Sequence, residues 1–127
     1  MLGDKTAVAT LAVKDMDAAK KFYEGTLGLS KAKEGEDGGI LYKTGSSNVF
    51  VYQSQFAGSN QATAVTFGVG DGLEDTVKEL EGKGVTFEQY DGMPNVTRNG
   101  NIHTFGDMKT AWFKDPDGNI INLNNQM

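Results

Sequence analysis

Phe113-Lys114-Asp115-Pro116-Asp117-Gly118-Asn119-Ile120-Ile121-Asn122-Leu123 reads as a strand, a tight turn and a second strand. Pro116 pre-sets φ for a turn, and Gly118 supplies a position open to positive φ. The neighbouring Asp and Asn side chains suit the capping of turn amides. The β-favouring residues on either side extend the pattern, so strands are predicted at Thr110–Lys114 and Asn119–Asn124.

Upstream, the chain repeats itself. Val8–Asp15 alternates in polarity and reads as a strand. Ala18, Ala19, Phe22, Tyr23 and Leu27 then recur at helical spacing, with Asp15 or Asp17 available as a cap. The same grammar returns at Ala64–Asp71, followed by a helical stripe of Leu73, Val77 and Leu80 that ends at Gly82 and Gly84. Asp15 matches Asp71 and Gly28 matches Gly84 at one fixed offset, the signature of an internal duplication. Each helix is followed by three strand candidates. In the first half these are about residues 30–34, Ile40–Lys43 and Asn48–Gln53. In the second they are Val85–Gln89, Thr110–Lys114 and Asn119–Asn124. The predicted fold class is α+β, two tandem βαβββ modules, residues 1–55 and 56–127, joined by the small polar stretch 54–62. An insertion at Asp91–Asp107, rich in Gly, Asn and Asp, is read as a loop flanking a pocket or decorating the surface.

Composition narrows the function. The 127 residues contain no cysteine, so disulfides, thiolate nucleophiles and cysteine metal sites are excluded. A net charge of −5 argues against nucleic acid, which needs a basic footprint, and against anionic membranes. No apolar run is long enough to span a bilayer, and the opening residues lack an apolar signal core, so a cytoplasmic location is expected.

The duplicated βαβββ pattern, the Asp115-Pro116-Asp117-Gly118-Asn119 turn and the opening Thr10–Leu29 stretch together resemble the vicinal oxygen chelate superfamily over essentially the whole chain. That superfamily includes glyoxalase I, bleomycin-resistance proteins, extradiol dioxygenases and fosfomycin-modifying enzymes. The resemblance implies curled mixed sheets around a shared cavity, with helices on the convex side. It also implies pairing into a homodimer. Its metalloenzymes place one ligand on each of four strands. The matching positions here are Val8, Ala64, Asn122 and, by hairpin alignment, Val51, so no metal and no other cofactor is expected.

Strand alternation assigns Val8, Thr10, Ala12, Val49, Val51, Gln53, Ala64, Thr66, Gly68, Ile120, Asn122 and Asn124 to the concave face. Leu11, Val13, Phe50, Tyr52, Phe67, Val69, Ile121 and Leu123 go to the sheet–helix core. The expected small-molecule ligand would meet Trp112, Asn122, Thr10, Val51, Thr66 and Tyr90. Trp112, the only tryptophan, either lines this pocket or belongs to core or dimer interface. His103, the only histidine, is either a general base oriented by Asp107 or an exposed loop residue. Asp91 and Arg98 are further polar candidates. The functional expectation is a metal-free protein that sequesters a planar or cationic small molecule. The alternative is a metal-independent isomerase or lyase acting on a small carbonyl compound through His103 and Asp107.

Overall fold

The computed structural model describes residues 1–126. Contacts gather them into two units. One holds Met1–Asn60 with the turn Pro116–Asn119, and the other holds Gln61–Asp115 with the chain from Ile120 on. Each contains one mixed sheet and one principal helix, the α+β class expected. Among the described residues no helix is long and apolar enough to cross a membrane.

In the first unit the strands β1 (Ala9–Val13), β2 (Ser30–Glu34), β3 (Ile40–Thr44) and β4 (Ser47–Gln53) lie in the order β1-β4-β3-β2. β1 is parallel to β4, while β2–β3 and β3–β4 are antiparallel hairpins. Between β1 and β2 runs helix α1 (Met16–Lys20), capped by Asp15, whose Oδ1 accepts from the amides of Asp17 and Ala18 at 3.0 and 3.1 Å. The spacing predicts a plain helix to Leu27. Instead Lys21–Thr26 widens into a π-helical turn, and the Leu27 amide bonds to the Phe22 carbonyl at 2.9 Å. Gly28, at φ +72°, turns the chain out and lets the Leu29 amide reach the Tyr23 carbonyl.

The sheet face carrying Leu11, Val13, Ile40, Tyr42, Val49 and Val51 is buried, and Tyr42 stacks on Tyr23 from the helical turn at 6.0 Å. This corrects the expected parity in β4. Leu11 aligns with Val51 and Ala9 with Val49, so both valines join the core. Phe50 and Tyr52 lie on the other face with Thr10 and Ala12, stacked ring on ring at 6.0 Å. Four consecutive apolar residues, Val49 to Tyr52, erase the alternation from which parity is read.

In the second unit β5 (Thr63–Gly68) leads through a short 3-10 turn into α2 (Leu73–Gly82), which buries Leu73, Val77 and Leu80. β6 (Thr97–Asn99), β7 (Ile102–Phe105), β8 (Met108–Lys114) and β9 (Ile120–Asn124) follow, and the sheet order is β5-β9-β8-β7-β6. Two expectations change here. Val85–Gln89 is not a strand; it touches β8 through one bridge, Phe87 to Phe113, and through the Glu88 amide on the Trp112 carbonyl at 2.8 Å. The rest of that β8 edge belongs to β7. The insertion at 91–107 is not all loop, because its second half folds as the β6–β7 hairpin about Gly100, at φ +64°.

Two glycines test the backbone argument in the first unit. Gly45 sits at φ +47° in open space, so Gly45→Ala should cost only conformational strain, about 1 kcal/mol. Gly58 sits at φ +78°, and a Cβ there would run into the Asp117 carbonyl oxygen. Gly58→Ala should therefore cost about 2–3 kcal/mol. Urea denaturation of the two variants side by side measures the difference.

Candidate functional site

β9 runs between β5, parallel to it, and β8, antiparallel to it. Asn122 is aligned with Thr66 on one side and with Trp112 on the other. These three side chains therefore share one face of the sheet. The alternate residues Ala111, Phe113, Ile121 and Leu123 form the buried apolar face, on the side of α2. Thr110, His103 and Arg98 continue the Trp112 face outward through β8, β7 and β6, each directly opposite the next.

The indole is held in place. Its Nε1 donates to Thr63 Oγ1 at 3.2 Å. Tyr90 meets it edge-on at 5.3 Å and His103 edge-on at 5.0 Å, so three rings form one cluster. Burial, together with the nearby Glu88 charge, raises the Tyr90 phenol above its ordinary value. Glu88 itself pairs with Lys114 at 3.1 Å. Arg98 forks onto Asp91 with two bonds of 2.8 and 3.0 Å and also donates to the Gly100 carbonyl. That pairing holds the Asp91 carboxyl below its ordinary range.

Asn122 is 5% exposed and hydrogen-bonded from within. Its Nδ2 donates to Thr110 Oγ1 and, at 3.2 Å, to the Ala111 carbonyl. The Thr110 hydroxyl donates in turn to the Leu123 carbonyl at 2.8 Å. Asn124 Nδ2 contacts Met108 Sδ, and its Oδ1 accepts from the Gln126 amide.

His103 is completely buried, which corrects the picture of an exposed loop residue. Its Nε2 accepts from the Tyr90 amide at 2.9 Å, so the neutral ring carries its proton on Nδ1. Burial, reinforced by the Arg98 charge, pushes its pKa below the ordinary histidine value. The Asn101 and Tyr90 backbone and the Asp91 carboxylate act against that shift without reversing it. Asp107 lies exposed in the β7–β8 turn, and no hydrogen bond or ion pair joins it to His103 among the described residues. The carboxylate facing His103 is Asp91 instead. The expected base with its orienting partner is therefore not assembled.

Thr10 and Val51, both expected at the ligand, lie on opposite faces of the first sheet. Thr10 is exposed on the face of the first sheet away from α1, and its hydroxyl bonds to the Val8 carbonyl at 3.2 Å. Val51 is fully buried on the opposite face of that sheet. The positions matched to metal ligands do not fit a metal. Val8, Val51 and Ala64 have no side-chain donor atoms, which leaves the Asn122 amide oxygen as the one side-chain ligand atom of the four positions. Among the described residues no group of three or more His, Asp or Glu side chains is arranged to hold an ion.

The Asn122 pattern makes a prediction. A carboxylate at this position loses both donors and faces the Ala111 carbonyl. Asn122→Asp should cost about 2–3 kcal/mol at neutral pH. Burial raises the pKa of the new group in the folded state, so the penalty is full above that pKa and shrinks as pH falls below it toward the ordinary carboxylate range. Chemical denaturation of variant and parent at pH 7.5 and pH 5 reads the difference.

A family model described as the Glyoxalase/Bleomycin resistance protein/Dioxygenase superfamily matches residues 5–123. No curated protein matches the sequence. Among solved structures, a glyoxalase family protein from Enterococcus faecalis is 21% identical, with a TM-score of 0.72 over 98% of this chain and 99% of that one. The lactoylglutathione lyase of Agrobacterium tumefaciens is 18% identical, with a TM-score of 0.69 over 96% and 94%. The fosfomycin resistance protein of Listeria monocytogenes is 11% identical, with a TM-score of 0.71 over 95% and 92%. At these identities the likeness is one of fold. With the family match over nearly its whole length, the chain belongs to the glyoxalase/bleomycin resistance/dioxygenase superfamily.

Proposed function

We propose that this protein binds a small planar molecule against the Trp112 face of its second sheet, without a bound metal and without chemical turnover. One observation carries the reading. Thr66, Asn122 and Trp112 stand in a row across three adjacent strands, and two further rings pack crosswise against the indole at 5.3 and 5.0 Å. An aromatic held this way loses little freedom when a ligand stacks on it, so stacking energy appears largely as affinity. A cationic ligand would gain further from the indole face. Members of this fold family typically bind small molecules and form dimers. Sequestration is favoured over catalysis because the acid–base pair of the enzyme reading is not formed. His103 is instead occupied by a backbone amide.

Titration with planar dyes, one cationic (acridine orange) and one neutral, should quench Trp112 emission saturably for at least one of them. Trp112→Ala should weaken that binding by about 1–3 kcal/mol in calorimetry. A full panel without saturable quenching, or an unchanged affinity in the variant, would sink the reading. Elemental analysis of dialysed protein should find far less than one Zn, Ni or Mn per chain. We also propose that two copies pair, so sedimentation at micromolar concentration should report twice the mass of one chain.

A further inference from the structure

His103 occupies a place that suits the neutral ring. It is fully buried, its Nε2 accepts from the Tyr90 amide, and its Nδ1 has no hydrogen-bond partner among the described residues. The amide it holds belongs to the segment between Phe87 and β6, which has no ladder of its own. After the Glu88 amide bond to Trp112, the backbone is tied down at Tyr90 by the imidazole. Gly92 at φ +87° and Asn95 at φ +62° follow immediately. Beyond that point the segment is tied by the Arg98–Asp91 fork and by a 3.3 Å bond from the Val96 amide to the Met93 carbonyl. Arg98 is only a quarter exposed and grips Asp91 with two bonds, so this fork remains as a second tether, and the bond that a proton at His103 can break is the one at Tyr90.

We propose that His103 is a pH-operated latch on residues 89–96. A protonated imidazole donates from both nitrogens and accepts from neither. The Tyr90 N–H would then face an N–H, and the bond that seats the segment is lost. The charged groups facing the ring are Arg98 on β6, which opposes protonation, and Asp91 on the segment itself, which favours it. From β8 come Thr110 and Trp112, neither of which titrates near neutrality. Lys114 and Glu88 are paired with each other. Release of the latch moves Tyr90 off the edge of Trp112, so acidification alters the aromatic cluster whether or not a ligand binds there.

The protein contains one tryptophan and one histidine, with ring centroids 5.0 Å apart, so the latch reports on itself. Because the folded pKa lies below the unfolded one, the stabilisation by neutral His103 is complete above about pH 6.5 and is lost as pH falls. Between pH 8 and 4.5, Trp112 emission should fall along a single-proton curve with its midpoint below about 6.5. Protection of the Tyr90 amide against hydrogen exchange should fall by up to about tenfold per pH unit between about pH 6.5 and that midpoint, while β8 and β9 amides stay protected. In His103→Gln, a non-titrating amide oxygen can accept the same N–H, and both curves should be flat. The latch is refuted if the Tyr90 amide stays protected while His103 protonates, or if parent and His103→Gln give the same pH profile. It is equally refuted if nothing changes before global unfolding. Should His103→Gln not fold, the ring nitrogen shifts of the single histidine decide: protonation at Nε2 in the neutral ring contradicts the latch, and at Nδ1 supports it.

Discussion

The alignment of β9 with its two neighbours is the constraint on which the second unit depends. All five residues of this strand are buried, and both of its edges are hydrogen-bonded. A slip of one residue would carry Asn122 and Asn124 into the apolar face and bring Ile121 and Leu123 out of it. Two amides would then lie in a core that offers them no partners, at a cost of several kcal/mol by ordinary desolvation. The Pro116–Asn119 turn, with Gly118 at φ +91°, sets this alignment from the β8 side. Every residue of the Trp112 face inherits its orientation from that one register.

Polar groups on this face are answered by one another. The chain Asn122 to Thr110 to Leu123, the indole on Thr63 and the Tyr90 amide on His103 close their hydrogen bonds inside the unit. Among the buried side-chain atoms of this face His103 Nδ1 is left without a partner in the described residues, and the rest of the face is closed on itself. The same pairing makes it rigid, since each group would lose a bond by turning away.

Much of this was legible in the sequence, and the failures have physical causes. Gly118, Gly28 and Gly84 all take positive φ, so the turn and the duplicated helix ends could be read from residue type alone. Alternation placed Thr66 and Asn122 correctly because Ile121 and Leu123 flank the amide. It failed in β4, where Val49-Phe50-Val51-Tyr52 has no polar phase mark and only pairing with Leu11 and Ile40 fixes the face. The β6–β7 hairpin did carry a signal, Asn99-Gly100, but the surrounding Asp, Asn and Gly residues read as loop. The burial of His103 left no local trace. It results from Tyr90, thirteen positions earlier, returning to lie against the ring.

The charges near Trp112 limit how the face can discriminate. Arg98 is paired with Asp91 and Lys114 with Glu88, and the intervening histidine is held neutral. The immediate surroundings of the indole are thus close to electrically balanced. The net charge of −5 is spread over the whole chain and acts mainly at long range, where physiological salt screens it within about 8 Å. A preference for cations would therefore appear mostly in the association rate and fade with added salt. On the proposed reading, selection among ligands would come from the shape and π character of the face that carries Trp112, Thr66 and Asn122. Such a face would favour flat molecules, and among the described residues it presents no buried carboxylate with which to single out one cation from another.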